Sequence, residues 1–132
     1  MLAVEVARNA VRKVRPSGTL VLMGGTRDRG VGPTLDDRLG VTAAMPALTA
    51  GLALELAPVR VNLIAAGFVD TGLSASLLGT RLDARRAELS ARLPIGRVVE
   101  PADVAALAVH IMINTAITGA TYDVDGGQRL VE

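Results

Sequence analysis

Two short strand-like runs, separated by a long helical segment, restrict this chain to few folds. "TLVLM" (19–23) is an unbroken apolar run of the kind found in strands covered on both faces. "VRVNLIA" (59–65) predicts a second strand, and "ATYDVDGG" (120–127) predicts a third that stops at Gly-Gly. Because strands joined by helical crossovers run parallel, the order predicts an α/β fold. We expect part of a doubly wound parallel sheet, with three strands and helices on both faces.

The helical segments differ in how much of their surface is apolar. The segment 39–57 is apolar nearly all the way round and contains Pro46, which we expect near its first turn or at a kink. A helix apolar on all sides is buried on more than one side, so we expect the sheet on one face and a second subunit on the other. Further helices are predicted over 2–15, over 74–79, over 83–93 and from "EPAD" (100–103), where proline takes the first helical position.

Size and composition exclude several classes of protein. The 132 residues fit one domain spanning 1–132. The net charge of +1, with acids and bases interleaved, lacks the basic footprint of a nucleic-acid-binding protein. No apolar run approaches the ~20 residues that span a bilayer, so we expect no membrane partner. The absence of cysteine excludes disulfides and thiol nucleophiles and favours a cytoplasmic location.

Three stretches, in order along the chain, resemble the short-chain dehydrogenase/reductase (SDR) family. "LTAGLALELAPVRVNLIAAGFVDT" is similar to that family's long helix, sixth strand and Pro-Gly turn. "PIGRVVEPADVAALAVHI" resembles its late Gly-Arg stretch and the helix start that follows. "ITGATYDVDGG" is similar to its last strand and terminal Asp-Gly-Gly. The resemblance covers nearly the whole chain.

The resemblance implies a Rossmann-like fold and an oxidoreductase that uses NAD or NADP. It places the chain in the C-terminal portion of a seven-stranded family fold, from the fifth helix to the seventh strand. Proteolysis, truncation or a misplaced start codon would each explain such a portion. The Gly-rich pyrophosphate turn of the family belongs to the other half, and "GGTRDRGVG" (24–32) follows the wrong strand to replace it.

The resemblance assigns three cofactor-binding residues to the turn after the second strand. In the family this turn lies along the nicotinamide, and the matching positions are Gly67, Val69 and Thr71. Val69 would contact the carboxamide through its backbone and Thr71 through its hydroxyl, while Ala66 replaces the family's proline. Alternatively, Gly67 simply makes a strand-to-loop turn. Losing three charge-assisted contacts to the absent half costs about 5–9 kcal/mol, so we expect weak or no dinucleotide binding by this chain alone.

The family's catalytic pattern is replaced at each position that this chain contains. The resemblance aligns the family's tyrosine with Arg38, its lysine with Thr42, and its serine with Gly25 or, if the loop slips by one residue, Thr26. Arginine stays protonated and is a poor proton donor. A positioned general acid supplies about 10²–10⁴ in rate, so we expect no catalytic residue and an inactive isolated chain.

Four other features have simpler interpretations than a catalytic or metal-binding role. Tyr122 is interpreted as a strand packing residue, and His110 as a group at the flank of a helix. Asp123 and Asp125 share one face of a strand and could bind a cation, but a turn before Gly126 is the favoured interpretation. Arg85, Arg86, Glu88 and Arg92 are interpreted as a solvated helix face, on which Glu88 and Arg92 have i,i+4 spacing.

Two functions remain open. The chain is a portion of an SDR oxidoreductase whose small-molecule substrate the sequence does not specify, or it is a non-enzymatic module that self-associates. The retained helices build the family's subunit interfaces, so the resemblance implies a homodimer or homotetramer. A ligand-binding domain unrelated to dehydrogenases ranks last. The run 19–23 would present a bare apolar edge, which we expect the N-terminal segment or another chain to cover, or else to promote aggregation.

Overall fold

The computed structural model describes residues 2–26 and 37–132, with side chains from residue 40 onward in the second range. Its helices are α1 (Leu2–Ala10), α2 (Asp37–Glu55), α3 (Gly72–Leu78), α4 (Leu82–Arg92) and α5 (Pro101–Ile113). Its strands are β1 (Thr19–Gly25), β2 (Arg60–Ala66) and β3 (Thr121–Val124), and short 3₁₀ turns lie at Gly79–Arg81 and Gln128–Leu130. Every predicted strand and helix is present in these ranges.

The three strands form one parallel sheet in the order β1-β2-β3, which confirms the predicted fold class. Leu22 of β1 lies opposite Leu63 of β2, and Ile64 of β2 lies opposite Tyr122 of β3. The central strand β2 is buried through Ala65 because it has a strand on either side and helices on both faces. Its carboxyl end therefore leads from the middle of the sheet directly into the turn at Gly67.

The two faces of the sheet carry different helices. On one face α1 and α2 pack against alternate residues of β1 and β2, and this core contains Ala7, Leu22, Met45, Leu52, Val61 and Leu63. On the other face α5 packs against β2, where its Ile111 is fully buried. The helix α2 packs against the sheet as predicted. Pro46 is the tenth residue of α2 and so lies in its interior, rather than near its first turn.

Three predicted boundaries are wrong for local reasons. The strand β1 continues two residues further than predicted, because Gly24 and Gly25 keep their pairing with Ala65 and Ala66. The helix α1 ends at Ala10 and continues as a turn, several residues before the predicted stop at Pro16. The strand β3 ends at Val124, where the next side chain begins a turn.

The C-terminal end of α5 is held by a buried arginine from β2. The Arg60 side chain donates from Nη1 to the carbonyls of Ile111 (2.9 Å), Asn114 (3.0 Å) and Ile117 (3.3 Å), and from Nη2 to that of Met112 (3.0 Å). The last carbonyls of a helix have no hydrogen-bond donor within the helix, and a positive charge there also interacts favourably with the helix dipole. Arg60 therefore fixes the position of α5 on the sheet.

Within the described residues, β1 hydrogen-bonds only to β2, so its other edge carries no strand. Met23 of this strand is 56% exposed. The bare edge predicted for residues 19–23 is thus present, and the described N-terminal residues form α1 rather than a covering strand. None of the helices in the described ranges has the length and apolar character needed to cross a bilayer.

Candidate functional site

The three stretches that carry the family resemblance meet at the carboxyl edge of the sheet. The Gly67 amide donates to the Val124 carbonyl at 3.1 Å, which joins the turn after β2 to the end of β3. Val69 forms an isolated parallel bridge with Val99, and the Asp70 amide donates to the Val99 carbonyl at 2.9 Å. Ligands of open parallel sheets bind at this edge, so the contacts between these stretches define the candidate site.

Gly67 is required by close packing inside the protein. A Cβ atom at this position would lie 2.6 Å from Gln128 Oε1, 2.7 Å from Asp125 Cβ and 3.1 Å from Asp125 Cα. The Gln128 side chain approaches so closely because its Oε1 accepts a hydrogen bond from the Phe68 amide at 2.8 Å. The strand-to-loop interpretation of Gly67 therefore has a physical basis in the structure, separate from any cofactor.

Val69 and Thr71 each present an unused hydrogen-bonding group. Within the described part of the chain, no hydrogen bond engages the amide or the carbonyl of Val69. The Thr71 hydroxyl accepts from the Ser74 amide at 3.1 Å, and Ser74 Oγ accepts from the Thr71 amide at 2.8 Å, a capping box at the start of α3. As a donor, the Thr71 hydroxyl has only a 3.4 Å contact to Ser74 Oγ. Both residues thus have groups available for a polar ligand.

The Asp-Gly-Gly segment forms a turn. Asp125 is buried, and its Oδ1 accepts from the Gly127 amide (2.9 Å) while its Oδ2 accepts from the Arg129 amide (3.1 Å). Gly126 and Gly127 have φ of +64° and +86°, a left-handed backbone conformation that residues with a side chain rarely adopt. The turn interpretation of Asp125 is confirmed. Among the described residues no group of three or more metal-ligating side chains occurs, and Asp123 pairs with Arg129 at 2.8 Å.

The face of α4 predicted to be solvated is only partly so. Glu88 and Arg92 are exposed and pair at 3.1 Å with the predicted i,i+4 spacing, but Arg85 and Arg86 are half-buried and contact the turn after β2, which corrects the interpretation of these two residues. Arg86 donates from Nε and Nη2 to the two oxygens of Asp70, at 2.8 and 2.9 Å. This hydrogen bonding to Asp70 raises the pKa of the Arg86 guanidinium. Arg85 lies with its guanidinium carbon 6.0 Å from the centroid of the Phe68 ring. The turn after β2 and α4 are therefore connected by side chains.

A second ion pair fixes the stretch that precedes α5. Arg97 donates from Nη1 and Nη2 to the carboxylate of Asp103, at 2.7 and 2.8 Å. Asp103 Oδ2 also accepts from the Glu100 amide at 2.8 Å, one of the unpaired amides at a helix start. These contacts, with Arg97 the main cause, lower the pKa of Asp103 to about 2. Because Val99 lies between Arg97 and Asp103, the ion pair holds the segment that bridges to Val69.

A cavity of about 450 Å³ opens beside Gly67. Its walls include Phe68 at the turn, Leu77 and Leu78 on α3, Arg85 on α4 and Gln128 after β3. Sequence reasoning gave Phe68, Leu77, Leu78 and Gln128 no role. The one available signal was the position of Phe68, the only phenylalanine, directly after the turn glycine. Gln128 offers no signal, because its contact with residue 68 depends on the folded sheet.

The structure brings together two positions that align with the family's catalytic residues. The Thr42 Cγ2 atom lies 3.9 Å from where a Cβ atom of Gly25 would be, so side chains at these positions would touch. Thr26 is 3% exposed, and no described residue hydrogen-bonds to its hydroxyl, while its amide donates to the Ala66 carbonyl at 3.1 Å. The side chain of Arg38 and most of the Gly-rich stretch (27–36) lie outside the described residues.

Tyr122 and His110 lie where the sequence predicts. Tyr122 is half-buried in β3 and pairs in register with Ile64 of β2. His110 is exposed in the last turn of α5, with Nε2 at 3.3 Å from Asn114 Nδ2. Neither lines the cavity beside Gly67.

Comparison with known proteins gives relatives of one kind. The family profile described as "Enoyl-(Acyl carrier protein) reductase" matches residues 3–129. The chain is 36% identical over 118 residues to the 4-formylbenzenesulfonate dehydrogenase TsaC1/TsaC2 of Comamonas testosteroni, covering 86% of this chain and 47% of that protein. It is 28% identical over 115 residues to the short-chain dehydrogenase/reductase malC of Malbranchea aurantiaca, covering 87% of this chain and 44% of that one.

Solved structures agree with these sequence relatives. A small-chain dehydrogenase crystallised in complex with NADPH superposes with a TM-score of 0.87 at 34% identity, covering 97% of this chain and 58% of that one. The MalC reductase/Diels-Alderase of Malbranchea aurantiaca superposes with a TM-score of 0.79 at 27% identity. The chain spans about half the length of the curated relatives it matches. Profile, relatives and fold together make this chain a member of the short-chain dehydrogenase/reductase family of oxidoreductases.

Proposed function

We propose that this chain forms the nicotinamide-contacting and substrate-contacting half of an NAD- or NADP-dependent oxidoreductase. The observation that supports it best is the backbone of Val69, which no hydrogen bond engages within residues 2–26 and 37–132, at the position where the family contacts the carboxamide. Thr71, two residues on, retains a hydroxyl proton to donate. When bound, the nicotinamide would supply or accept the hydride. The role of this chain's residues is to orient the carboxamide through Val69 and Thr71, with Gly67 setting the turn.

We further propose that the described half does not itself relay a proton. The positions that align with the family's serine and lysine are adjacent in space, but they carry Gly25 and Thr42. Gly25 has no hydroxyl to replace that of the serine, and Thr42 has no charge to replace that of the lysine. The buried Thr26 hydroxyl is one residue away from Gly25 and has no partner among the residues that the structure describes. Without a positioned general acid the rate falls by about 10²–10⁴, so this chain binds and orients rather than catalyses.

Replacing Thr71 by valine tests the cofactor contact. Thr71→Val removes the donor to the carboxamide, and losing one hydrogen bond of about 1–1.5 kcal/mol weakens binding roughly tenfold. Saturation-transfer NMR with NADH and NADPH at millimolar concentration measures this binding. Ser74→Ala is the matched control, because it breaks the same capping box but keeps the Thr71 hydroxyl. Equal affinities for Thr71→Val and the unsubstituted chain would contradict the proposed contact.

The alternative function, a self-associating module, is favoured by the apolar surface of α1 and α2. On α1, Leu2 is 80% and Val6 44% exposed, and on α2, Val41 is 48% and Leu54 84% exposed. Helices in a water-soluble protein bury such side chains against a partner. We propose that a second copy of this chain covers them, giving a homodimer or homotetramer.

Charge on this surface should dissociate the proposed oligomer. We expect Val6→Glu combined with Leu54→Glu to convert the oligomer to monomer in sedimentation velocity at micromolar concentration, because a buried unpaired carboxylate is costly. Leu73→Glu is the control, since Leu73 is 70% exposed but lies on α3. A monomeric unsubstituted chain would rule out this alternative.

A further inference from the structure

We propose that the cavity beside Gly67 receives an uncharged, apolar group of the ligand, aromatic or branched alkyl, and discriminates against carboxylates. Naming this ligand a substrate rests on the proposed oxidoreductase function, but the selectivity of the cavity follows from its walls alone. The cavity has a volume of about 450 Å³, which is within the range of small-molecule sites.

The cavity's side chains supply apolar surface at three positions. The Phe68 ring comes from the turn after β2, and Leu77 and Leu78 come from α3. Leu77 is 71% exposed, so a ligand in the cavity would remove much of its surface from water. Burial of apolar surface is the main favourable term for such a ligand. An aromatic ring or branched alkyl group therefore gains most from these walls.

The neutral polar side chains of the cavity are already hydrogen-bonded within the protein. Ser74 Oγ accepts from the Thr71 amide and donates to the Thr71 carbonyl, each at 2.8 Å. Gln128 accepts from the Phe68 amide at 2.8 Å and donates to Glu132 Oε2 at 2.8 Å. A polar ligand group would have to break these bonds to gain its own.

Among the described residues that line the cavity, the one cation is Arg85, and it is paired with two carboxylates. Arg85 donates from Nη1 to Glu88 Oε2 at 3.0 Å and from Nη2 to Glu132 Oε1 at 2.7 Å. Glu88 is also paired with Arg92 at 3.1 Å, so the four charges sum to zero. A ligand carboxylate therefore meets no net positive charge and competes with Glu132 for the guanidinium. Moving that carboxylate out of water without a free partner is unfavourable. The electrostatics of the wall therefore favour an uncharged ligand.

The cavity adjoins the turn that carries the proposed nicotinamide contact. Ala66 and Gly67 line it, and they lead directly to Val69 and Thr71 along the same turn. An apolar group in the cavity therefore lies beside the start of that turn. If the proposed function holds, the ligand of this cavity is the substrate.

Two probes of nearly equal size test the selectivity. We expect 4-isopropylbenzyl alcohol to shift the Phe68 ring resonances with a Kd at least tenfold lower than that of 4-isopropylbenzoate at pH 7. Because Phe68 is the only phenylalanine, its ring signals in the NMR spectrum of the full chain report this cavity without overlap from another phenylalanine. The measurement needs neither nicotinamide nor turnover.

Three variants test whether the selectivity comes from the walls of this cavity. We expect Leu77→Ser to weaken binding of the alcohol about fivefold and the control Leu73→Ser to leave it unchanged, since both leucines are exposed on α3 but only Leu77 lines the cavity. We expect Glu132→Gln to strengthen binding of the carboxylate at least fivefold, because Arg85 then retains only Glu88 as a charged partner.

Each outcome decides the inference. Tighter binding of the alcohol, lost in Leu77→Ser alone, supports it. Absence of binding by the alcohol, equal or tighter binding of the carboxylate, or equal effects of the two leucine variants overturns it. If the alcohol binds as expected while NADH and NADPH do not bind, the proposed oxidoreductase function fails and the selectivity of the cavity stands.

Discussion

Replacing Arg60 by methionine is expected to lower the free energy of unfolding by about 3–5 kcal/mol, the largest effect of any single change considered for this chain. Methionine fills a similar volume, but it leaves four backbone carbonyls, two in the last turn of α5 and two in the segment after it, without their donor. Each buried, unsatisfied carbonyl costs about 1–3 kcal/mol, and partial hydration reduces the total. Thermal unfolding followed by circular dichroism should show Tm lowered by about 10 °C or more.

Two control variants separate this effect from a general loss of charge. Arg60→Lys keeps the positive charge, but one ammonium group does not reach four carbonyls, so we expect an intermediate loss of stability. Arg12→Met removes an exposed arginine and should change the unfolding free energy by less than about 0.5 kcal/mol. A Tm for Arg60→Met within about 2 °C of the unsubstituted chain would show that the capping contacts contribute little.

The sequence predicts the sheet well because its pattern is local. Short apolar runs separated by helical periodicity specify parallel strands wherever they occur, and the Glu-Pro-x-Asp stretch specifies the first turn of α5 through the chemistry of its own residues. Arg60 shows the limit of such reasoning. In "PVRVNL" it reads as a charged residue at the start of a strand, and its partners lie more than 50 positions later in the chain. No local pattern contains that contact.

Part of the candidate site could likewise be predicted from local sequence, and part could not. The position of the turn after β2 could be predicted, because a buried strand that ends in Ala-Gly delivers a turn to the sheet edge. The roles of Arg85 and Arg86 could not be predicted, because their spacing on α4 matches a solvated face equally well. Only the fold places Asp70, Phe68 and Glu132 against them. Periodicity identifies which face of a helix a residue occupies, but it does not identify what lies opposite that face.

Replacing Gly67 by alanine is expected to lower the free energy of unfolding by about 2–3 kcal/mol and to remove ligand binding at the adjacent cavity. The new Cβ atom would lie 2.7 Å from Asp125 Cβ and 3.1 Å from Asp125 Cα, so the Asp-Gly-Gly turn must move away. Such a movement also separates Gln128 Oε1 from the Phe68 amide, a contact of 2.8 Å that helps to shape the cavity wall. Urea unfolding measures the stability, and the Phe68 ring resonances measure the change at the cavity.

Gly51→Ala is the matched control, and we expect it to raise the free energy of unfolding rather than lower it. Gly51 lies inside α2 with no atom within 4 Å of an added Cβ, so alanine there should stabilise the chain by about 0.5–1 kcal/mol through its higher helix propensity. If Gly67→Ala leaves both the stability and the Phe68 resonances unchanged, the turn tolerates a side chain. The glycine would then not be required by packing, and its presence at the turn would point to a ligand instead.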